Sequence, residues 1–218
     1  MAASRNKLSN ELLNRVGDFV AARTAKDEPL ALGLSGGCDS VVLLHLLVSL
    51  GLGQRLSAIH VHHGLSPNAD TWADFCSQFC ARLDISLDVQ VVTVDPKSGQ
   101  GIEAAARQAR YAAFSNYAAP TVFLAHHQGD QAETVLFNLL RGAGVAGAAG
   151  MVDERTQGDI RILRPLLNVP RSALEAYAVA NQLSWIEDES NADTKFTRNF
   201  LRHDVLTVIN QRFPAAEQ

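Results

Sequence analysis

The sequence predicts an α/β protein built on a doubly wound, mostly parallel sheet of the Rossmann-like kind. Three observations predict it. Apolar, β-rich segments alternate with helical ones along most of the chain, the pattern of repeated strand–helix units. The strand segments are continuous apolar runs more than alternating ones, which suits parallel strands covered on both faces. The stretches richest in reactive side chains directly follow strands, where ligands collect in such folds.

Taken in order, the N-terminal stretch reads as an amphipathic helix with Leu8, Leu12, Leu13, Val16 and Val20 on one side. It lacks the apolar centre of a secretory signal. Strands are predicted over residues 30–34, 56–61, 87–94 and 121–125, and helices over 40–50, 68–83, 102–117 and 130–140. The first strand stops abruptly at Ser35-Gly36-Gly37, and the helix after it opens with the apolar run Val41, Val42, Leu43, Leu44. Residues 142–150, GAGVAGAAG, predict a mobile loop, either a linker or a gate beside the site. Beyond it, 161–167 reads as a short strand ending at Pro165, and 171–181 as a helix set off by Pro170. Residues 196–208 read as a last helix, after a turn at 188–193. The whole chain, 1–218, is expected to form one domain: a sheet core over about 1–150 and a C-terminal part of the same domain over about 151–218.

A length of 218 residues with 47% hydrophobic content suffices for one substantial core. The net charge of -4 argues against a globally basic nucleic-acid binder and leaves room for a local basic groove. No apolar run approaches the length of a membrane span, so no membrane partner is expected. Three cysteines, an odd and sparse set, suit a reducing cytoplasm. Cys76 and Cys80 fall on a predicted helix with Trp72, Phe75, Phe79 and Leu83 and read as small core residues. The chain supplies too few ligands around them for zinc or an iron–sulfur cluster.

The turn Ser35, Gly36, Gly37, Cys38, Asp39, Ser40 is the most informative stretch. Paired glycines let the backbone approach a ligand closely. Their N–H groups, with those of the following helix's first turn, favour an anion, and Ser35 and Ser40 add hydroxyls. This is a cradle for nucleotide phosphates. A carboxylate inside it, Asp39, would repel phosphate unless a cation lay between them, which implies Mg²⁺. The plain alternative is a strand–turn–helix connection with an Asp near an N-cap. The pattern is neither a Walker P-loop nor a dinucleotide fingerprint.

The stretch from His126 to Thr134 joins the fourth strand to a helix. Asp130 and Glu133, three apart, share one helical face. They read either as a cap, with Asp130 at the N-cap and Glu133 as its capping-box partner, or as holders of an ammonium group or metal. The histidines cluster as His60, His62, His63 and as His126, His127, but without zinc-site spacing. Phosphate hydrogen bonding or packing is the expected role. Arg107 and Arg110 share a helical side with Glu103 a turn earlier, and Arg198 and Arg202 lie near Asn199 and His203. Guanidinium groups suit phosphates, although either cluster alone is equally a surface feature.

Together, SGGCDS (35–40), HVHHGLSPNADTWADFC (60–76), GIEAAARQARYAAF (101–114), AHHQGDQAETVLFNLLRGAG (125–144), RPLL (164–167) and WIEDESNADTKFTRNFLR (185–202) resemble the tRNA(Ile)-lysidine synthetases. These are members of the PP-loop ATP pyrophosphatase superfamily, with an adenine nucleotide alpha hydrolase-like fold. The resemblance implies ATP-dependent adenylation of C2 of the wobble cytidine in tRNA(Ile) with a CAU anticodon, releasing pyrophosphate. Free L-lysine then attacks C2 and AMP leaves. It implies that Ser35–Ser40 bind ATP, that Asp39 supports Mg²⁺, and that Asp130 and Glu133 hold lysine. It further implies that Arg107 and one of Arg198 or Arg202 steady phosphates, with His126 by the α-phosphate. A free amine binds as a cation, which would explain two acids with no obvious internal Lys partner.

Two departures stand out. Gly129 occupies a position where family members often carry an acid. The C-terminal tRNA-binding domains common in the family are not found in these residues, so the expectation is an excised catalytic domain or a compact enzyme. The rivals are another PP-loop tRNA-modifying ligase such as a thiolase, which would need cysteine pairs, an amidating synthetase, and a non-catalytic ATP-binding module. Oligomeric state is left open, a homodimer being one option, and a cytoplasmic location is expected.

Overall fold

Leu30, Ala31, Leu32 and Leu34 are all but fully buried, so the first strand has no solvent face and must lie inside a sheet covered on both sides. The computed structural model, which describes residues 2–94 and 101–213, bears this out. The strands are β1 (Leu30–Gly33), β2 (Leu56–His62), β3 (Ser86–Val91), β4 (Thr121–Phe123), β5 (Glu154–Gln157) and β6 (Ile160–Leu163). They form one sheet in the order β3-β2-β1-β4-β6-β5. Leu32 lies opposite Ala58 of β2 on one side and Phe123 of β4 on the other, both parallel. Only β5 runs antiparallel, against β6.

The helices are α1 (Ala2–Arg23), α2 (Cys38–Ser49), α3 (Ala69–Arg82), α4 (Ile102–Ser115), α5 (Gln128–Leu140), α6 (Val145–Ala148), α7 (Arg171–Ala180), α8 (Thr197–Phe200) and α9 (Leu206–Arg212). Leu12, Val16 and Val20 of α1 join Val41 to Leu44 of α2, Phe79 of α3 and Leu174 of α7 in one core cluster. On the other side of the sheet, Tyr111 and Phe114 of α4 pack on Ala31, Ile59, Val122 and Ile162. Alternate residues of β1 thus enter different clusters, as the two-residue strand period requires. A π-helical turn, Leu201–Val205, joins α8 to α9; such turns often mark functional segments.

The chain moves from β1 outward through β2 and β3, then returns to β4 on the opposite side of β1. The order therefore reverses between β1 and β4, and the crevice beyond their carboxyl ends is where this architecture binds ligands. Ion pairs tie the chain ahead of β1 to the β5–β6 hairpin: Arg161 Nη2 lies 2.9 Å from Glu28 Oε1 and Arg23 Nη2 lies 2.9 Å from Asp153 Oδ2.

Several expected boundaries move. The expected strand 161–167 ends at Leu163, and β5 is not among the expected strands. The expected loop 142–150 contains the helical turn α6. Gln131 ties down its end, donating to the Met151 carbonyl at 2.8 Å and accepting the Met151 N–H at 2.7 Å. The expected helix 196–208 is split by the π turn and runs on to Arg212. Met1 and residues 214–218 of the expected single domain lie outside the described residues.

Candidate active site

The turn after β1 is shaped by Gly36, whose φ of +88° lies in the left-handed region. Its carbonyl accepts the Ile186 N–H at 2.9 Å. A Cβ there would lie 2.5 Å from Ile186 Cδ1 and 3.1 Å from Cys76 Sγ. Glycine is required here twice over, by dihedral and by space. Gly36→Ala is expected to cost about 1–3 kcal/mol of stability through strain and overpacking. It should also abolish nucleotide binding, as thermal unfolding and nucleotide titration would show.

Around that bend, Ser35 Oγ accepts the Gly37 N–H at 3.3 Å, and Ser40 Oγ donates to the Gly37 carbonyl at 3.0 Å. The N-cap of α2 is Gly37, with no side chain capping the first turn. The helix therefore keeps N–H groups and a positive dipole end for an anion. Cys38 is buried, and burial pushes its thiol up to about 12, so it is no nucleophile at neutral pH. Burial likewise pushes Cys76 up to about 12 and Cys80 to about 11.

Asp39 lies on the first turn of α2. Its Oδ1 is buried without a hydrogen-bond partner. Burial raises its pKa, His127 and Arg171 pull it down, Asp130 pushes it up, and the net shift is upward. An unpartnered hard oxygen beside an uncapped helix start fits Mg²⁺ bound between a carboxylate and phosphates. Among the described residues, no group of three His, Cys, Asp or Glu side chains forms a self-contained metal site.

His60 donates from Nδ1 to the Leu34 carbonyl at 2.9 Å and so fixes the end of β1. Burial lowers its pKa, as it does that of His63, where repulsion from Arg110 adds to the effect. His62 pairs with Asp70 at 2.9 Å.

The fourth crossover corrects one expectation. The N-cap of α5 is His127, not Asp130. The His127 Nδ1 accepts the Gly129 N–H at 3.0 Å, and Asp130 Oδ2 accepts the His127 N–H at 2.9 Å. Asp130 therefore holds the third position of the capping box, and Glu133 stands outside it. The other nitrogen, His127 Nε2, lies 3.7 Å from both Asp39 Oδ2 and Asp130 Oδ2. His127, for which the sequence suggested only phosphate hydrogen bonding or packing, thus links the turn at 35–40 to the acids of α5.

Those acids also have a partner that the sequence does not reveal: Arg202 Nε donates to Glu133 Oε1, and Arg202 Nη2 lies 3.4 Å from Asp130 Oδ1. One guanidinium balances two carboxylates, and Glu133 Oε2 remains buried and unpartnered. Burial raises the Glu133 pKa, the Arg202 hydrogen bond opposes this, and the net shift is upward. Burial also acts on Asp130, but His127, His126 and Arg202 outweigh it and its pKa is lowered. The pair is electrostatically asymmetric.

Both C-terminal arginines reach this crevice, at different points. Arg198 lies 3.4 Å from Glu103 Oε1 of α4 and donates to Thr134 Oγ1 at 3.4 Å. Glu103 thus pairs with Arg198, across the crevice, and not with its helix neighbour Arg107. Arg107 leans on the Tyr111 ring at 5.0 Å and donates to its hydroxyl at 3.2 Å. Surrounding protein, then repulsion from Arg107 and Arg198, lowers the Arg110 pKa. His126 accepts from Arg164 Nε at 3.2 Å. Acids and cations therefore face one another across the ends of β1 and β4.

A family described as the PP-loop domain matches residues 6–209. A tRNA(Ile)-lysidine synthase from Actinobacillus pleuropneumoniae serotype 3 is 53% identical over 184 residues, covering 84% of this chain and 43% of that protein. Another, from Aromatoleum aromaticum, is 50% identical over 200 residues, covering 91% of this chain and 47% of that one. The chain thus spans less than half the length of these curated relatives. Among solved structures, a U34-tRNA thiolase from Methanococcus maripaludis, described with its [4Fe-4S] cluster, superposes with a TM-score of 0.76 at 18% identity. That match covers 97% of this chain and 76% of the thiolase, and it supports the fold alone. With a glycine bend at the switch point of its sheet, and a match running from residue 6 to residue 209, the chain belongs to the PP-loop domain family.

Proposed function

We propose that the protein uses ATP to join free L-lysine to C2 of the wobble cytidine of tRNA(Ile), giving lysidine, AMP and pyrophosphate. The observation that carries this reading is the convergence of Asp39, His127 and Asp130. With Nε2 of His127 3.7 Å from each carboxylate, the phosphate loop and the amine-binding acids share one crevice. About half-identity with tRNA(Ile)-lysidine synthases supports this choice of substrates.

In the first step the C2 oxygen of cytidine bonds to the α-phosphorus and pyrophosphate leaves. In the second, the lysine ε-nitrogen bonds to C2, the C2–O bond breaks, and AMP departs with that oxygen. The turn at 35–40 holds the phosphates, and Arg107 and Arg198 meet the charge that develops on them. A magnesium ion held by Asp39 would neutralise phosphate charge. Asp130, its pKa lowered, anchors the amine as a cation. Glu133, its pKa raised, is suited to accept the proton that the amine must lose. The cytidine must leave its stack to reach the crevice.

Incubation with Mg·ATP, labelled lysine and tRNA(Ile) transcript, followed by base analysis, tests the proposal. Lysine should enter the wobble base, with one pyrophosphate released per lysine. Nucleotide binding without pyrophosphate release would instead favour a nucleotide-sensing module. Thiolation is disfavoured because the three cysteines are buried in one apolar cluster, their thiols held protonated. Arg107→Ala should slow pyrophosphate release about 10- to 100-fold with an unchanged unfolding temperature, since Arg107 supports little beyond Tyr111.

A further inference from the structure

Arg164 is a buried charge that this reaction leaves unused. It opens the 164–167 stretch after β6 and is 2% exposed. Among the described residues it meets no carboxylate; Nε donates to His126 Nδ1 at 3.2 Å, and Nη1 donates to the Val152 carbonyl at 2.7 Å. A guanidinium removed from water without a counter-ion is unfavourable, unless the arrangement serves an anion that arrives later.

The donor direction settles the imidazole. An arginine Nε always carries hydrogen, so Nδ1 of His126 accepts and the ring hydrogen sits on Nε2. We propose that Arg164 is a positioning residue for the nucleotide, locking His126 as an Nε2–H donor to phosphate and placing a fixed positive charge behind it. The proposal rests on reading the crevice as the ATP site.

The surroundings agree. Charged groups face His126 from each neighbouring element: Asp130 from α5, Arg107 and Arg110 from α4, and Arg164 beyond β6. Burial above all pushes the imidazole down to about 3; Asp130 opposes the shift, and Arg164, Arg107 and Arg110 reinforce it. His126 therefore stays neutral at working pH, with one hydrogen in one place. Such a field, with three guanidinium groups from two elements, suits phosphate oxygens.

Arg164 is itself anchored. Val152, whose carbonyl it grips, follows Met151, which Gln131 holds at 2.8 and 2.7 Å. Gly150 permits that grip, since a Cβ there would lie 2.8 Å from Gln131 Oε1. A polar ring thus runs from α5 through residues 151–152 and Arg164 to His126. It fixes the imidazole relative to Asp130, the neighbour of Gln131. A lysine at 164 would keep the charge and lose the two-pronged donation.

Nitrogen-15 NMR of the histidine rings tests the lock. The unsubstituted protein should show His126 wholly as the Nε2–H tautomer, without titration between about pH 5 and pH 9. In Arg164→Gln, and in the milder Arg164→Lys, the tautomers should mix, while burial keeps the ring neutral. Pyrophosphate release by Arg164→Gln should fall about 10- to 100-fold, as when an outer partner that orients a site imidazole is lost, with the KM for ATP less affected. In a His126→Ala background most of the Arg164→Gln effect should disappear. An Nδ1–H tautomer or a titrating ring in the unsubstituted protein overturns the proposal, as do independent, multiplying losses in the double variant. A locked ring in a protein that releases no pyrophosphate with tRNA overturns the reading of the site, and the phosphate role with it.

Discussion

Asparagine at position 39 is expected to stop pyrophosphate release while making the protein more stable. Asp39 sits in the first turn of α2 with one carboxylate oxygen buried and unpartnered. Its other oxygen lies 3.7 Å from His127 Nε2. Burial, only partly offset by His127 and Arg171, raises its pKa above the unfolded value. An acid shifted this way favours the folded state only when protonated. Its contribution is fully present below the unfolded pKa and is lost as pH rises through the folded one. At neutral pH the charged side chain therefore opposes folding, and the neutral amide relieves that. Each kcal/mol recovered is worth about 2–4 °C in a chain of this size. Activity should move the other way, by about 10³-fold or more, because the amide removes the negative charge that lets a cation bridge to the phosphates. The stability gain over the parent should shrink as pH falls, because the raised folded pKa lets the parent acid take up its proton before an unfolded carboxylate would. Retained activity with a lowered unfolding temperature would make Asp39 a structural residue.

Asp39 is also the site residue most legible in the sequence, because a carboxylate in a phosphate cradle is chemically out of place. The strands β1, β2 and β4 are legible because their residues form near-continuous apolar runs. The polar β5, ERTQ, carries no such signal; its pairing with β6 and the Arg161–Glu154 contact at 3.3 Å define it. The early start of α5 is hidden because the imidazole of His127, an uncommon cap, takes the capping role. The His-x-x-Asp spacing, matching a capping box, is the available clue. Arg202 cannot be paired with Glu133 from sequence, since the two are 69 residues apart and meet only once the fold is complete. Arg164 belongs to the RPLL motif, which by itself suggests no role for the arginine. Its signal is a charge placed directly between apolar Leu163 and the Pro-Leu-Leu run, where a solvated arginine is not expected.

The long-range Arg202–Glu133 pair carries the second large effect. Methionine at position 202 keeps an unbranched chain and removes the charge. Glu133, 2% exposed, then loses the guanidinium that now holds one of its oxygens. Breaking a buried pair from one side costs about 3 kcal/mol or more when the remaining charge is stranded. The acid has an escape, because a proton can replace the guanidinium. Its pKa is raised even with Arg202 present and should climb further without it. An acid with a raised folded pKa gives up stability as pH rises through that value, so the Met variant should be much less stable near pH 8 and recover towards pH 5. Glu133→Gln behaves differently: Arg202 keeps Asp130, and little stability is lost. With one carboxylate gone, the lysine requirement should rise about 10- to 100-fold, the worth of a charged hydrogen bond, while ATP binding is spared. The double variant should regain the part of the stability loss that comes from stranding Glu133, since removing both partners of a buried pair is nearly neutral, while Asp130 still lacks Arg202. It should not regain lysine use. Unchanged lysine dependence in Glu133→Gln would remove the amine-holding role. A pH-independent loss in Arg202→Met would show that the stranded group is not the carboxylate. Recovery of stability without recovery of lysine use would separate the two duties of this pair, holding the C-terminal helix to α5 and receiving the amine.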